Sequence, residues 1–330
     1  MHQVNLSGID VSAASLSVEL KNHGGQCRKA TFDNDPVGHR KLIAWSTKRG
    51  AQARVCLEAT GVYSFDLALA LSRHPQTEVM VVNPRAIKAF AVALMQRAKT
   101  DIVDAGVILS FLERMPFQPW QPPGEEVLQL QALTRRIAQL KVIVTQEGNR
   151  LHADHHRQVL SRQISQDIQL HLRHLQRRIE HLEAQALQVV QGRPQLQEKF
   201  TRLISVTGIA TTSALNLLAE LLVLPEDLQP EQWVAQAGLD PRPRESGTSV
   251  HNPRFISKAG NKYLRAALYM PALVAAQYQP NVKAFYQKLV RAGKKKMQAL
   301  VAVMRKLLRC LWGMLKDQQD FDGNKFYQLT

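Results

Sequence analysis

Lys99-Thr100-Asp101-Ile102-Val103-Asp104-Ala105 sets two carboxylates three residues apart, ahead of the apolar positions Val107, Ile108, Leu109, Phe111 and Leu112. Residues at i and i+3 are neighbours on a helical surface, so the spacing puts both acids on one helix face. A carboxylate pair rooted among Ile102, Val103 and Ala105 is costly to bury without a compensating cation. Mg²⁺ is the usual compensation, because it takes hard oxygen ligands and keeps positions open for phosphate oxygens. The same residues also read as an ordinary helix start, with Thr100 as N-cap and both acids in the dipole-favoured first turn. The rest of the chain weighs toward the first reading.

Upstream, Val4-Asn5-Leu6-Ser7-Gly8-Ile9-Asp10 reads as a strand ending in an acid, and Leu16 to Leu20 alternates as a second strand. Asn22-His23-Gly24-Gly25 is a turn, with a third strand around Cys27 to Phe32. Asp35-Pro36 opens a helix through Trp45, proline suiting the first helical position. Arg54-Val55-Cys56-Leu57-Glu58 is a short apolar strand that also ends in a carboxylate. A helix to Leu71, a strand Val79–Val82 and a helix from about Ala86 follow, before the quoted pair opens a helix to Glu113. Three meandering strands followed by alternating strands and helices predict an α/β domain. Open α/β sheets place their sites at strand ends, so Asp10, Glu58, Asp101 and Asp104 are expected to converge. Four carboxylates are a ligand set for two Mg²⁺ ions clamping a scissile phosphate.

Gly8-Ile9-Asp10, Leu57-Glu58-Ala59-Thr60-Gly61 and Lys99-Thr100-Asp101-xx-Asp104-Ala105, in this order, resemble the RuvC-like, RNase H-fold domain of the DEDD insertion-sequence transposases. That group includes the pilin-gene invertase and the bridge-RNA-guided recombinases, and the resemblance runs along essentially the whole chain. It implies a catalytic domain over residues 1–120, a coiled-coil arm over 121–195 and a helical transposase domain over 196–330. The expected fold class is α/β plus all-α.

Beyond the breaker Trp120-Gln121-Pro122-Pro123-Gly124, Leu130, Leu133, Ile137, Leu140, Val144 and Leu151 fall on heptad a/d spacing, interrupted at Glu147. Ile164, Ile168, Leu172, Leu175, Ile179, Leu182, Ala186 and Val189 repeat that spacing, which predicts an antiparallel coiled coil or a dimerising arm. His152, His155 and His156 around Asp154 allow a metal site, but a polar hairpin tip is the better reading without a Cys/His set elsewhere. Leu203 to Ala214 resembles a helix–hairpin–helix whose Gly208 turn offers backbone N–H groups to phosphate, with Ala210 in place of a second glycine. A structural turn between packed helices is the alternative.

Ala237 to Val250 is a basic Pro/Gly/Ser-rich loop, expected to be irregular and placed to carry function. Glu245-Ser246-Gly247, followed by Ile256-Ser257-Lys258-Ala259-Gly260-Asn261-Lys262-xx-Arg265, resembles the C-terminal domain of the same family. The resemblance implies that Ser246 is the recombinase nucleophile; Ser249 in the same loop competes for that role. Helices are expected from Tyr263 to Gln277, with a possible kink at Pro271, from Pro280 to Val290 and from Gln298 to Leu315.

The net charge of +16 and pI near 10.0 point to a polyanionic partner. Arg242 to Lys316 holds 16 basic residues and one acid, Glu245. Arg242, Arg244, Lys258, Asn261, Lys262, Arg265, Lys294, Lys295 and Lys296 are the candidate nucleic-acid contacts. No run approaches a transmembrane length and the first residues lack a signal-peptide layout. Cys27, Cys56 and Cys310, odd in number and far apart, fit reduced thiols in the cytosol. The expected protein is a Mg²⁺-dependent DNA recombinase. As the resemblance implies, its partners are donor and target DNA, a structured guide RNA and further copies of itself, as a dimer or dimer of dimers. A metal-dependent nuclease using water, or a scaffold without chemistry, are the alternatives.

Overall fold

The computed structural model of the chain describes residues 4–59, 61–94, 101–155, 162–242, 245–246, 250–251 and 255–329. Within these ranges, the side chains of Val62, Asp101 to Asp104, His155, Glu245, Ser246, Val250 and His251 are outside the description. Two compact units emerge, Met1–Pro122 and Pro123–Thr330.

The first unit is a five-stranded sheet in the order β3-β2-β1-β4-β5, built from β1 (Val4–Val11), β2 (Ser15–Lys21), β3 (Cys27–Asp33), β4 (Gln52–Glu58) and β5 (Thr77–Val82). The first three strands pair antiparallel, while β1, β4 and β5 are parallel. Parallel pairing needs covered faces, and helices supply them on both sides. On one face, α1 (Pro36–Ser46) and α2 (Val62–Ser72) bury Leu42, Leu67 and Leu71 against Ile9, Leu16, Val18 and Leu57. On the other, α3 (Pro84–Ala93) and α4 (Asp101–Arg114) bury Ile87, Val107, Ile108 and Phe111 against Cys56, Met80 and Val82. The helices start where their caps dictate: Asp35 accepts a hydrogen bond from the Gly38 amide at 2.6 Å, and Asn83 one from Arg85 at 2.9 Å, each just before a proline.

The second unit opens with two long helices, α5 (Glu125–His155) and α6 (Arg162–Gln191). They run antiparallel: Ile137 and Leu140 pack with Leu175 and Ile179, and Lys141 bridges to Glu183 at 2.8 Å. The pattern interruption at Glu147 is a buried carboxylate 2.6 Å from Arg150 and 3.7 Å from His171 on α6. Ile164, assigned to the seam by its spacing, is 55% exposed, so the seam ends short of the start of α6.

A bundle follows, made of α7 (Pro194–Ile204), α8 (Thr211–Leu221), α9 (Pro230–Gln236), α10 (Lys262–Tyr278), α11 (Pro280–Arg291), α12 (Lys296–Asp317) and the short α13 (Gly323–Phe326). Its core includes Leu203, Leu215, Leu218, Leu264, Leu268, Leu307 and Leu311. The Gly208 turn between α7 and α8 has φ +100°, and a Cβ there would meet the Pro271 carbonyl oxygen at 2.8 Å. This glycine faces the backbone of α10, which runs unbroken through Pro271.

The loop expected to be irregular contains short paired strands. β6 (Pro241–Arg242) pairs antiparallel with β9 (Phe255–Ile256), and β7 (Glu245–Ser246) with β8 (Val250–His251). Two-residue strands carry no readable alternation, which is why composition alone suggested a loop. Among the described residues, no helix is long and apolar enough to cross a membrane.

Candidate active site

Asp10 is the penultimate residue of β1, and Glu58 is the last of β4. The parallel register pairs Gly8 with Cys56 and Ile9 with Leu57, so one further step sets Asp10 level with Glu58. Side chains alternate along a strand, and level residues of parallel neighbours share a face. Cys56 packs against α4 residues Val107, Ile108 and Phe111, so Asp10 and Glu58 both project on the α4 side. Each carboxylate root is half-buried.

The direction of α4 follows from three contacts. Lys21, paired with Leu6, bonds Glu113 near the end of α4 at 2.6 Å. One pleat on, a Cβ at Gly8 would fall 2.4 Å from the carbonyl oxygen of Ala105. Glu19, paired with Gly8, lies with a carboxylate oxygen 2.9 Å from where a Cβ of Gly106 would stand. The helix therefore runs against β1, and its first turn, Asp101 to Asp104, comes at the Asp10 end. The structure brings the backbones of Asp10, Glu58 and this turn to one corner of the sheet; the carboxylates of Asp101 and Asp104 lie outside the described side chains. Among the described residues no three His, Cys, Asp or Glu side chains form a metal-ligating group. The donor chemistry suits Mg²⁺, being oxygen-only and anionic.

Ser246 ends β7 in the second unit, paired with Val250. Arg242 is exposed on β6, and Arg244 and Ser249 lie outside the described residues. In the region around Asp154, His155 is described by its backbone alone and His156 lies outside.

Residues 7–162 match a transposase family model of the DEDD type found in IS110 elements, and residues 200–287 match the model described as transposase IS116/IS110/IS902 family. The chain belongs to the IS110 family of transposases. It is similar to the pilin gene-inverting proteins of Moraxella bovis and Moraxella lacunata, each 29% identical over 321 residues, covering 96% of this chain and 97% of theirs. An uncharacterised 43.6 kDa protein of insertion element IS110 from Streptomyces coelicolor is 29% identical over 144 residues, 44% of this chain and 34% of its own. The transposase is accordingly a DNA recombination enzyme.

Several polar and basic side chains of this transposase are engaged within its fold, among them Asn261, Lys262 and Arg265, which sequence marked for nucleic acid. Asn261 caps α10, its Oδ1 accepting from the amides of Tyr263 and Leu264 at 2.9 and 3.2 Å, and its Nδ2 donates to Glu220 at 2.6 Å. Arg265 donates to the carbonyl of Ala237 at 2.8 Å. The Lys262 ammonium lies 5.1 Å from the Tyr263 ring centroid. Along α12, Lys306 sits 4.6 Å over Phe285, Arg309 pairs with Glu231 at 2.8 Å, and Lys316 sits 4.5 Å over Trp312. Lys258, in the left-handed region at φ 51°, and Lys294 to Lys296 are exposed.

Sequence reasoning missed Glu220. This carboxylate is 2% exposed in an apolar helix, and receives Arg135 through two hydrogen bonds of 2.8 and 2.9 Å, Gln131 at 3.2 Å and Asn261. Its hydrogen bond raises the Arg135 pKa further above the usual guanidinium range, against a smaller opposing effect of burial. The one sequence signal was an acid alone in the apolar run from Ala214 to Leu224. Buried acids of this kind are retained when fully hydrogen-bonded.

Proposed function

We propose that this transposase cuts and rejoins DNA through a serine nucleophile and Mg²⁺ held by Asp10, Glu58, Asp101 and Asp104. The observation that carries the reading is the register setting Asp10 beside Glu58 on the face crossed by the first turn of α4. The fold of residues 1–120 is RNase H-like in this reading, α5 and α6 form a coiled-coil arm over 121–195, and residues 196–330 carry the serine ribbon. When bound, Mg²⁺ supplies charge that draws the scissile phosphate oxygens in and offsets charge built up at phosphorus. The four carboxylates would hold that ion and set its place at the corner of the sheet. Ser246 attacks phosphorus: a new Oγ–P ester forms as the P–O bond to the leaving strand breaks. Attack by a hydroxyl end on the phosphoserine reverses the exchange, so rejoining needs no external energy source. A serine hydroxyl is weak at its free pKa and needs activation, which ties its reactivity to docking at the acids of its own or another subunit. Arg242 and Arg244 attract the phosphate through bidentate contacts.

The partners in this reading are donor and target DNA, a structured guide RNA and further copies of the chain, acting in the cytosol. Guide pairing suits a chain in which no zinc finger, homeodomain or similar base reader is recognisable. A nicked suicide substrate tests the mechanism. Wild-type protein should yield a protease-sensitive protein–DNA adduct mapping by mass spectrometry to the Ser246 peptide, and Ser246→Ala should lose it while still binding DNA. Normal cutting by Ser246→Ala would make this a water-using nuclease; an adduct at Ser249 would keep the chemistry and move the residue.

A further inference from the structure

The groove between α10, α11 and α12 lies outside the chemistry above. Tyr269 and Leu273, one turn apart on α10, face Lys283 and Tyr286 of α11 and Lys296 and Met297 of α12, around a cavity of about 430 Å³. Its rim is apolar and open: Tyr269 is 37% exposed, Leu273 41% and Met297 56%. Contiguous open apolar surface of this kind marks a binding site more often than scattered single residues do. The lining holds two lysines and no acid. Helices α10 and α11 contain no Asp or Glu at all, and α12 has only its last residue, Asp317.

Two tyrosines beside uncompensated lysines match what unpaired nucleotides need: flat faces for bases and cations for the backbone. A second copy of the chain fits badly, because a two-fold contact would face this lining, with two lysines and no acid, onto itself in a chain of net charge +16. We propose that this groove holds unpaired DNA strand, stacking bases on Tyr269 and Tyr286 with phosphates at Lys283 and Lys296. Strand exchange between duplexes passes through such unpaired segments, so the assignment rests on the recombinase reading and adds the site that parks the strand.

The test uses full-length protein and fluorescence anisotropy with oligodeoxythymidylate, oligouridylate and a mixed-sequence DNA duplex. Tyr269→Ala/Tyr286→Ala should weaken oligodeoxythymidylate binding about tenfold or more while leaving duplex binding within about twofold. The Tyr269→Phe/Tyr286→Phe protein keeps the flat faces and should bind as wild type, which separates stacking from damage to the bundle. Unchanged oligodeoxythymidylate binding, an equal loss on duplex, or a tyrosine-dependent preference for oligouridylate would each overturn the assignment. So would a change in sedimenting mass caused by the alanine pair without nucleic acid, which would make the groove a protein interface. If wild type binds none of the DNAs, the recombinase reading itself fails.

Discussion

Gly8 and Ala105 stand so close that no side chain fits between them: a Cβ on Gly8 would lie 2.4 Å from the Ala105 carbonyl oxygen, and 2.3 Å from the Leu109 amide nitrogen. Both are backbone atoms and cannot swing aside, so the glycine sets how closely the acid-bearing helix approaches the central strand. Gly8→Ala should push α4 off the sheet, destabilising the protein by about 1–3 kcal/mol and reducing strand cleavage more than DNA binding. A melting temperature and activity equal to wild type would show that the helix gives way freely.

Asp10→Asn and Glu58→Gln preserve size while each removing one negative charge from the same corner. Each should lower Mg²⁺-dependent strand cleavage by about a hundredfold or more and leave the melting temperature near wild type. Cleavage assays across a Mg²⁺ titration check this; full activity in either variant at any concentration would separate the two acids functionally.

Replacing Glu220 should be the most damaging single change in the helical unit. Glu220→Ala removes the partner of the Arg135 guanidinium, which is 39% exposed and keeps some water, and of the Asn261 amide, at a cost of about 1–3 kcal/mol. Denaturant titration reads the loss. Adding Arg135→Met should recover part of it, since the stranded charge is then gone; a double variant weaker than the single one would locate the damage elsewhere.

The three cysteines should react unequally. Cys27 is exposed, Cys56 is buried and Cys310 is half-buried. Burial pushes the Cys56 thiol from the usual 9.0 to about 12, and Cys310 to about 11 despite Lys306 and Arg309 nearby. Native protein at pH 8 should therefore label quickly at one thiol and at three after unfolding. The sign of the pH effect follows: the unfolded thiols lose protons above about 9 while the folded ones do not, so stability is full below that pH and falls as pH rises toward 11 and 12. Serine at position 56 should flatten that fall, measured by denaturation between pH 8 and 10.5, values set by the same thiol range.

Changing Lys294, Lys295 and Lys296 to glutamine should weaken duplex binding and lower the slope of log K against log salt by up to about 3, roughly one per phosphate contact. Sequence preference should not move. An unchanged slope would mean that these exposed ammonium groups meet only water.

The sheet and its acids were legible because strand alternation, proline starts and terminal carboxylates are local signals. Asp35-Pro36 and Asn83-Pro84 announce their helices within two residues. The convergence of Asp10 with Glu58 was legible as an expectation because parallel strands end together. The paired strands around Ser246 were not, since two residues have no period to detect. Asn261 and Arg265 look in sequence like more of a phosphate-binding loop. Only the fold reveals that one caps a helix and the other ties down a carbonyl, because a polar side chain's partner depends on distant backbone. Glu220 was hidden for the opposite reason: a lone acid in an apolar helix reads as a solvent-facing position until α5 and the start of α10 close over it.

Those two elements make Glu220 a shared anchor. Arg135 belongs to α5, whose far end at His155 lies fifteen residues beyond the α5–α6 contact at Leu140 and Leu175, while Asn261 caps α10 five residues after the end of β9. One carboxylate thus fastens the helical pair to the start of α10. Losing that one carboxylate would loosen the helical pair and the start of α10 together.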